Sequence, residues 1–379
     1  MPTEDDIQRL RLARTEGVGP VTWRRLMDRY GTAAQALAAL PGLARAGGKT
    51  GAPVIPSLSD MRRECERIAR MNGRLLFLGG PEYPPLLARL YDAPPVIAVL
   101  GEVALLSQPA VAVVGGRNAS AGGLRMAETL AEDLAKHLTV VSGLARGVDG
   151  VAHTAAMRTG RTAAVIAGGL DIAYPPENAA LQRLIGERGA VITEAPPGVE
   201  PQARHFPRRN RLIAGLSLGV VVVEAARRSG SLITAHIARD QGREVFAVPG
   251  SPLDPRTRGS NDLLREGAVL TESARDVLDN LAGFGGLFPV STEEVNTDRM
   301  GEIAESGDAD PMHEAETMRR ARSVVTDLLG PSPTAVDDLV RRCQLSVSAV
   351  MAALLELELA GRVETLPGNR FVLLTDAGT

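Results

Sequence analysis

The chain has 379 residues, a formal net charge of −3, and 44% hydrophobic but only 3% aromatic residues. That length allows two or three separately cored domains, and the composition is that of a globular protein built on Ala, Val, Leu and Ile rather than a disordered one. Cys65 and Cys343 lie far apart and fit neither a disulfide framework nor zinc-ligand spacing. The first residues lack a signal-peptide pattern, and no apolar run approaches the roughly 18 residues that span a bilayer. The expectation is a soluble protein of the reducing cytoplasm, with no membrane contact, no metal and no cofactor.

The average charge hides a segregation. Residues 291–316 hold nine acids and one arginine, which leaves +5 on the rest of the chain. Lys49 and Lys136 are the only lysines, so nearly all positive charge is arginine, the side chain suited to bidentate phosphate contacts. A GC-rich genome produces the same bias.

In chain order, residues 4–45 read as short helices, with Leu10, Leu12, Leu26, Leu37 and Leu40 at helical spacings interrupted by GVGP at 17–20. They form a small all-α domain, 1–50, followed by a Gly- and Pro-rich linker. Over 57–285, the runs LLFL, VIAVL, VAVVGG, TVVSG, AAVIAG, AVITE, GVVVVEA and EVFAVPG alternate with helical stretches. That order implies crossover connections and a parallel sheet covered on both faces, a Rossmann-like α/β domain. An acidic linker, 286–316, precedes a last domain, 317–379, whose helices followed by two strands around PGN have the order of a winged helix.

Four segments carry candidate chemistry. VAVVGGRNASAGG at 111–123 runs from a strand through a glycine turn to a helix N-terminus, an arrangement that favours an anion, with Arg117 in the turn. The glycines do not follow G-x-G-x-x-G and no acid ends the next strand, which disfavours a dinucleotide. SGLARGVDGVAHTAAM at 142–157 places a second glycine turn at the same sheet edge. Asp149 and His153 in it are expected to start the helix and to pack behind the turn, since no third metal ligand is near. ARHFPRRNRLIAGLS at 203–217 gathers Arg204, Arg208, Arg209 and Arg211 with Phe206 and Asn210, a backbone-gripping pattern. RRSGSLITAHIARDQGREVFAVPG at 227–250 offers Ser229, Gly230, Ser231 and Thr234 as further donors. No set of nucleophile, base and oxyanion donors stands out.

Read together, VGGRNASAGG, SGLARGVDGVAH, AGGLDIAYPPEN, FPRRNRLIAGLS, SGSLITA and VFAVPG closely resemble the central motifs of the DNA-processing protein A (DprA, Smf) family of bacterial natural transformation, over residues 70–280 or so. The resemblance implies an extended Rossmann-like domain, not catalytic, that binds single-stranded DNA without base specificity, forms a homodimer and helps load the RecA recombinase. Carried over by motif, the DNA-binding residues are Gly115, Gly116, Arg117 and Asn118, then Ser142, Gly143 and Arg146, then Arg208, Arg209, Asn210 and Arg211, and finally Ser229, Gly230 and Ser231. Family members commonly have Gly-Ser-Arg in the first turn; here Gly116 stands in place of the serine.

TEGVGPVTWRRLM at 15–27 resembles a helix-hairpin-helix, or SAM-like, element. In the winged helix the candidate recognition helix, 346–361, has Glu356 and Glu358 and no basic residue, which is poor for a DNA groove and better for a protein partner, with Arg362 and Arg370 as the remaining DNA candidates. The segment 259–270 is the dimer edge the family implies. An enzyme reading, a nucleotide phosphoribohydrolase of the lysine-decarboxylase-like type, requires PGGxGTxxE; the nearest stretch, SGSLITAHI, lacks its proline and glutamate. A purely structural hub is the third reading.

Overall fold

The structure, a computed structural model, describes residues 2–49, 51–282, 311–366 and 368–374. The expected acidic linker therefore lies outside the described residues up to position 310. The chain divides into two compact units, one holding residues 3–58 and the C-terminal helices and strands, the other beginning at residue 59 and holding the large sheet.

In the first unit, α1 (Glu4–Ala13), α2 (Pro20–Tyr30) and α3 (Ala33–Ala46) have ordinary start signals. Thr3 and Asp6 form a capping box, Pro20 takes the first position of α2, and the Thr32 side chain accepts from the Gln35 N–H. Gly17, in the hairpin between α1 and α2, has φ +80°.

The second unit runs α4 (Leu58–Arg70), β1 (Gly73–Phe77), α5 (Pro85–Ala88), β2 (Val96–Gly101), β3 (Ala110–Val114), α6 (Ala121–Leu134), β4 (Thr139–Ser142), α7 (Val148–Ala156), β5 (Thr162–Val165), α8 (Ala179–Arg188) and β6 (Ala190–Thr193). It continues with α9 (His205–Gly215), β7 (Gly219–Val222), α10 (Gly230–Asp240), β8 (Glu244–Ala247), α11 (Arg258–Arg265), β9 (Val269–Leu270) and α12 (Ala274–Leu281). The nine strands form one sheet in the order β1-β2-β6-β5-β4-β3-β7-β8-β9. From β6 to β9 all neighbours are parallel.

The inner strands of this set alternate between cores on the two faces of the sheet. On β3, Ala110, Ala112 and Val114 face one and Val111 and Val113 the other; on β7, Val220 and Val222 oppose Val221. Burial on both faces is why the strands read as unbroken apolar runs. The expectation of a parallel sheet needs one correction: β1 pairs antiparallel with β2, and β2 antiparallel with β6. The chain between β1 and β2 carries only the four-residue helix α5 and returns at the same end of the sheet instead of crossing over it.

The C-terminal part of the first unit comprises α13 (Pro311–Leu328), β10 (Thr334–Ala335), α14 (Val336–Cys343), α15 (Val347–Leu359), β11 (Val363–Leu366) and β12 (Arg370–Leu373). This is a winged helix with a three-stranded sheet ordered β10-β12-β11, and α13 begins at Pro311 rather than at the expected boundary. Among the described residues no helix is long and apolar enough to cross a membrane.

Phe246 on β8 is fully buried in the core beneath α6 and α12. Phe246→Ala should lower unfolding stability by about 3–5 kcal/mol, read as a lower urea midpoint with an unchanged slope.

Candidate nucleic-acid interface

The strand order reverses between β3 and β7, so the turns after these strands open a crevice at the carboxyl edge of the sheet, where ligands of such folds bind. The turn after β3 is tied to β7 at once: the Gly116 N–H donates to the Glu224 carbonyl at 2.6 Å. The Glu224 side chain, almost wholly buried, accepts from the Ser120 N–H at 2.9 Å and its hydroxyl at 2.6 Å, while Ser120 Oγ accepts from the Gly123 N–H. The helix α6 N-terminus was expected to hold the anion, and here it already has a cap and a fixed carboxylate beside it. That negative charge opposes a second anion at this helix end.

The second turn, after β4, packs on the first. Gly147 adopts φ +76°, and a Cβ there would overlap the Gly116 carbonyl, so only glycine fits. Asp149 Oδ2 accepts from the Gly143 N–H (3.2 Å) and the Ala145 N–H (3.4 Å), and Asn178 donates to the Leu144 and Ala145 carbonyls. Arg209 reaches in from α9 and donates to the carbonyls of Gly143 and, at 2.9 Å, Val165. A Cβ at Gly143 would occupy the space of that guanidinium.

Burial pushes the Asp149 carboxyl up, opposed by Arg209 and the two N–H donors, and it pushes Arg209 down to about 10, still a cation at neutral pH. His153 is fully buried on α7 with Nδ1 2.8 Å from the Thr162 hydroxyl. Because that hydroxyl donates to the Val140 carbonyl, Nδ1 carries the proton and Nε2, which has no partner, is bare. Burial drops the imidazole to about 3.

The expected site residues separate into two groups. Gly115, Gly116, Arg117, Asn118, Gly143, Arg146, Arg209, Asn210, Ser229, Gly230 and Ser231 line two adjoining cavities of about 510 and 720 Å³ that share Arg117, Asn118, Ala145, Phe206 and Arg209. Ser142, Arg208 and Arg211 do not. The Ser142 hydroxyl is buried and donates to the Val113 carbonyl at 2.6 Å. Arg211 is spent on the Asp92 carbonyl and the carboxylates of Glu194 and Asp92. Arg208 is exposed and is not among the residues that line the two cavities.

Arg209 itself is a strut rather than a surface grip, because two carbonyls and Asp149 already occupy its charge. Arg117 and Arg228 are exposed, line the groove and carry no carboxylate partner among the described residues. Arg146 is paired with Glu177, and Arg256 with Asp254. Ser229 caps α10, with its Oγ 2.7 Å from Ser231 Oγ, and Gly230 leaves the helix N-terminus open to the groove.

Among the groove residues that sequence reasoning left out of its site are Tyr174, Arg228 and Phe206, the last noted only as a neighbour of the arginines. The Phe206 ring lies 5.4 Å from the Arg117 guanidinium, 5.9 Å from that of Arg209 and 5.7 Å from the Tyr174 ring. Aromatic scarcity was the available signal: the chain has only six Phe, four Tyr and one Trp, and two of these converge here. His205 is held below its ordinary value by partial burial and by the positive field of Arg204 and Arg208.

Comparison with known proteins agrees with this architecture. Residues 74–282 match the family model described as DNA recombination-mediator protein A, residues 3–66 a DprA-like N-terminal HHH domain, and residues 309–369 a DprA winged helix domain. The chain belongs to the DprA family. It is 49% identical over 197 residues to the DNA processing protein DprA of Streptococcus pneumoniae, covering 52% of this chain and 70% of that protein. To protein Smf of Escherichia coli it is 40% identical over 290 residues, 76% of this chain and 74% of that one.

Among solved structures, DprA from Streptococcus pneumoniae superposes with a TM-score of 0.63 at 37% identity, covering 73% of this chain and 98% of that one. A DprA from Helicobacter pylori, described for its single-stranded DNA binding mode, gives 0.51 at 28% identity over 56% and 96% of the two chains.

Two outcomes follow from the buried groups of this DprA-family site. Arg209→Ala removes the partner of three buried acceptors and should cost about 3–5 kcal/mol of stability, seen in denaturant unfolding, whereas Arg117→Ala should cost little. For His153, the unfolded chain takes up a proton near pH 6.5 while the folded chain refuses it down to about pH 3. The folded state therefore loses stability as pH falls through that window, by up to about 1.4 kcal/mol per pH unit. His153→Gln should flatten the stability profile there, measured by urea midpoints from about pH 6.5 to about pH 4.

Proposed function

We propose that this protein binds single-stranded DNA along the groove at the β3–β7 crevice, gripping phosphates without reading base sequence, and does so without catalysis. The observation that carries the proposal is the pairing of uncompensated guanidiniums, Arg117 and Arg228, with an aromatic surface made by Phe206 and Tyr174. Cations along a groove track a backbone, and π-faces stack with any base, which together give affinity without sequence preference. The open α10 N-terminus with Ser229 and Ser231 adds N–H and hydroxyl donors for a further phosphate. The Helicobacter pylori relative, described for its single-stranded DNA binding mode, supports the same ligand class.

Three titratable groups at or beneath the groove are already committed. Asp149 holds two backbone N–H groups, Glu224 holds Ser120, and His153 is buried and neutral. A phosphoribohydrolase would need an available acid beside the sugar, and its glutamate-bearing motif is absent from 229–237. The family resemblance further assigns delivery of the strand to the RecA recombinase during natural transformation, in the cytoplasm, by a homodimer. The edge strand β9, with Leu270 half exposed, is the dimer edge we propose.

The test is titration of a labelled oligo-dT at two salt concentrations. Arg117→Ala and Arg228→Ala should each weaken binding and reduce the steepness of log K against log salt by about 0.7, equally for dT and mixed sequences, while Arg208→Ala changes little. Variants that bind like the wild type would contradict the placement, and release of free base from a nucleoside monophosphate would favour the enzyme reading.

A further inference from the structure

The winged helix has its third helix, α15, where such domains usually present side chains to a DNA groove. One face of α15, with Val350, Ala353, Leu354 and Leu357, packs into the core of the winged helix itself. Leu355, Glu356 and Leu359 project from the opposite face, yet they are also buried, and Leu355 and Leu359 lie outside that core. An apolar helix buried all round must be covered from two sides.

The cover is the N-terminal module of the same chain. Gly47, which ends α3, approaches α15 so closely that a Cβ would overlap the Glu356 carbonyl and come within 2.9 Å of the Ala360 Cβ. Arg25 of α2 binds Glu358 at 3.5 Å with both side chains mostly buried, donates to Asn369 Oδ1, and lies 5.1 Å over the Phe371 ring of the wing. Glu356 is paired with Arg322 of α13 at 2.6 Å. Arg362, a DNA candidate on sequence grounds, lies against Gly48.

We propose that the winged helix of this chain is a protein-docking module whose occupant is its own N-terminal helical module, so that α15 is withheld from duplex DNA. The charge pattern fits: α15 carries two carboxylates and no cation, and with Glu356 held by Arg322, Glu358 is the one that pairs with Arg25 when α2 is seated on it.

The test uses the full chain with Leu359→Cys, a maleimide reagent, and peptide mapping to read which cysteine reacts. Native Cys343, buried in the winged-helix core, reports whether that fold is intact. Gly47 has φ −71° and ψ −7°, which any residue tolerates, so Gly47→Leu acts as a wedge at the interface rather than as a strain within α3.

Residue 359 should label slowly in the otherwise wild-type chain and at least about tenfold faster with the wedge, while Cys343 stays protected. Equal labelling with and without the wedge would overturn the proposal. If the wedge also exposes Cys343, the charge pair decides instead: Arg25→Glu should speed labelling at 359 and an added Glu358→Arg should slow it again, and a failure to restore protection overturns the docking. Saturating duplex should leave the labelling rate at 359 unchanged, and a change in either direction would show that duplex reaches α15.

Discussion

The Arg209 guanidinium sits where α9, the ends of β4 and β5 and the start of α7 meet, and the shape of the binding edge depends on it. It satisfies the Gly143 and Val165 carbonyls and faces Asp149, whose other contacts are the N–H groups of the same turn. A charge in such a place is tolerated only because every partner is present; removing one leaves the rest buried and unpaired. From this core outward, the second glycine turn fixes the first through Gly147 and Gly116, and Glu224 fixes the first turn to β7. The groove is rigid because its floor is a network of committed polar groups.

That rigidity sorts the arginines by task. Arg209 and Arg211 hold protein carbonyls and carboxylates, while Arg117 and Arg228 project from the floor with their charge uncompensated. On the proposed reading, pre-set turns and cations without carboxylate partners suit a phosphate backbone that binds without reorganising the sheet. The Phe206 ring, already stacked against Arg117, extends the polar track with an apolar surface.

The central strands were legible because burial on both faces writes an uninterrupted β-branched run into the sequence, and the glycine turns were legible because only glycine serves positions such as Gly147. The antiparallel direction of β1 and β2 was not, since an apolar run carries no sign of which way its neighbour runs. Within 204–211 the sequence shows four equivalent arginines; the commitment of Arg209 and Arg211 as struts depends on Asp149, Glu194 and Asp92, which lie outside this segment and reach it only through the fold. The absence of cations on α15 was readable as unsuited to DNA, but its true cover, α3 and α2, lies more than 300 residues upstream of its carboxylates.

The most direct measurement is photo-crosslinking of an oligonucleotide carrying 5-iododeoxyuridine to the full chain, followed by identification of the modified peptides. Crosslinks at Phe206 and Tyr174, lost when unlabelled oligo-dT competes, are the expected result. Crosslinks confined to residues 3–46 or 311–374 would contradict the account, because they would place the strand on the terminal unit and leave the groove without a ligand.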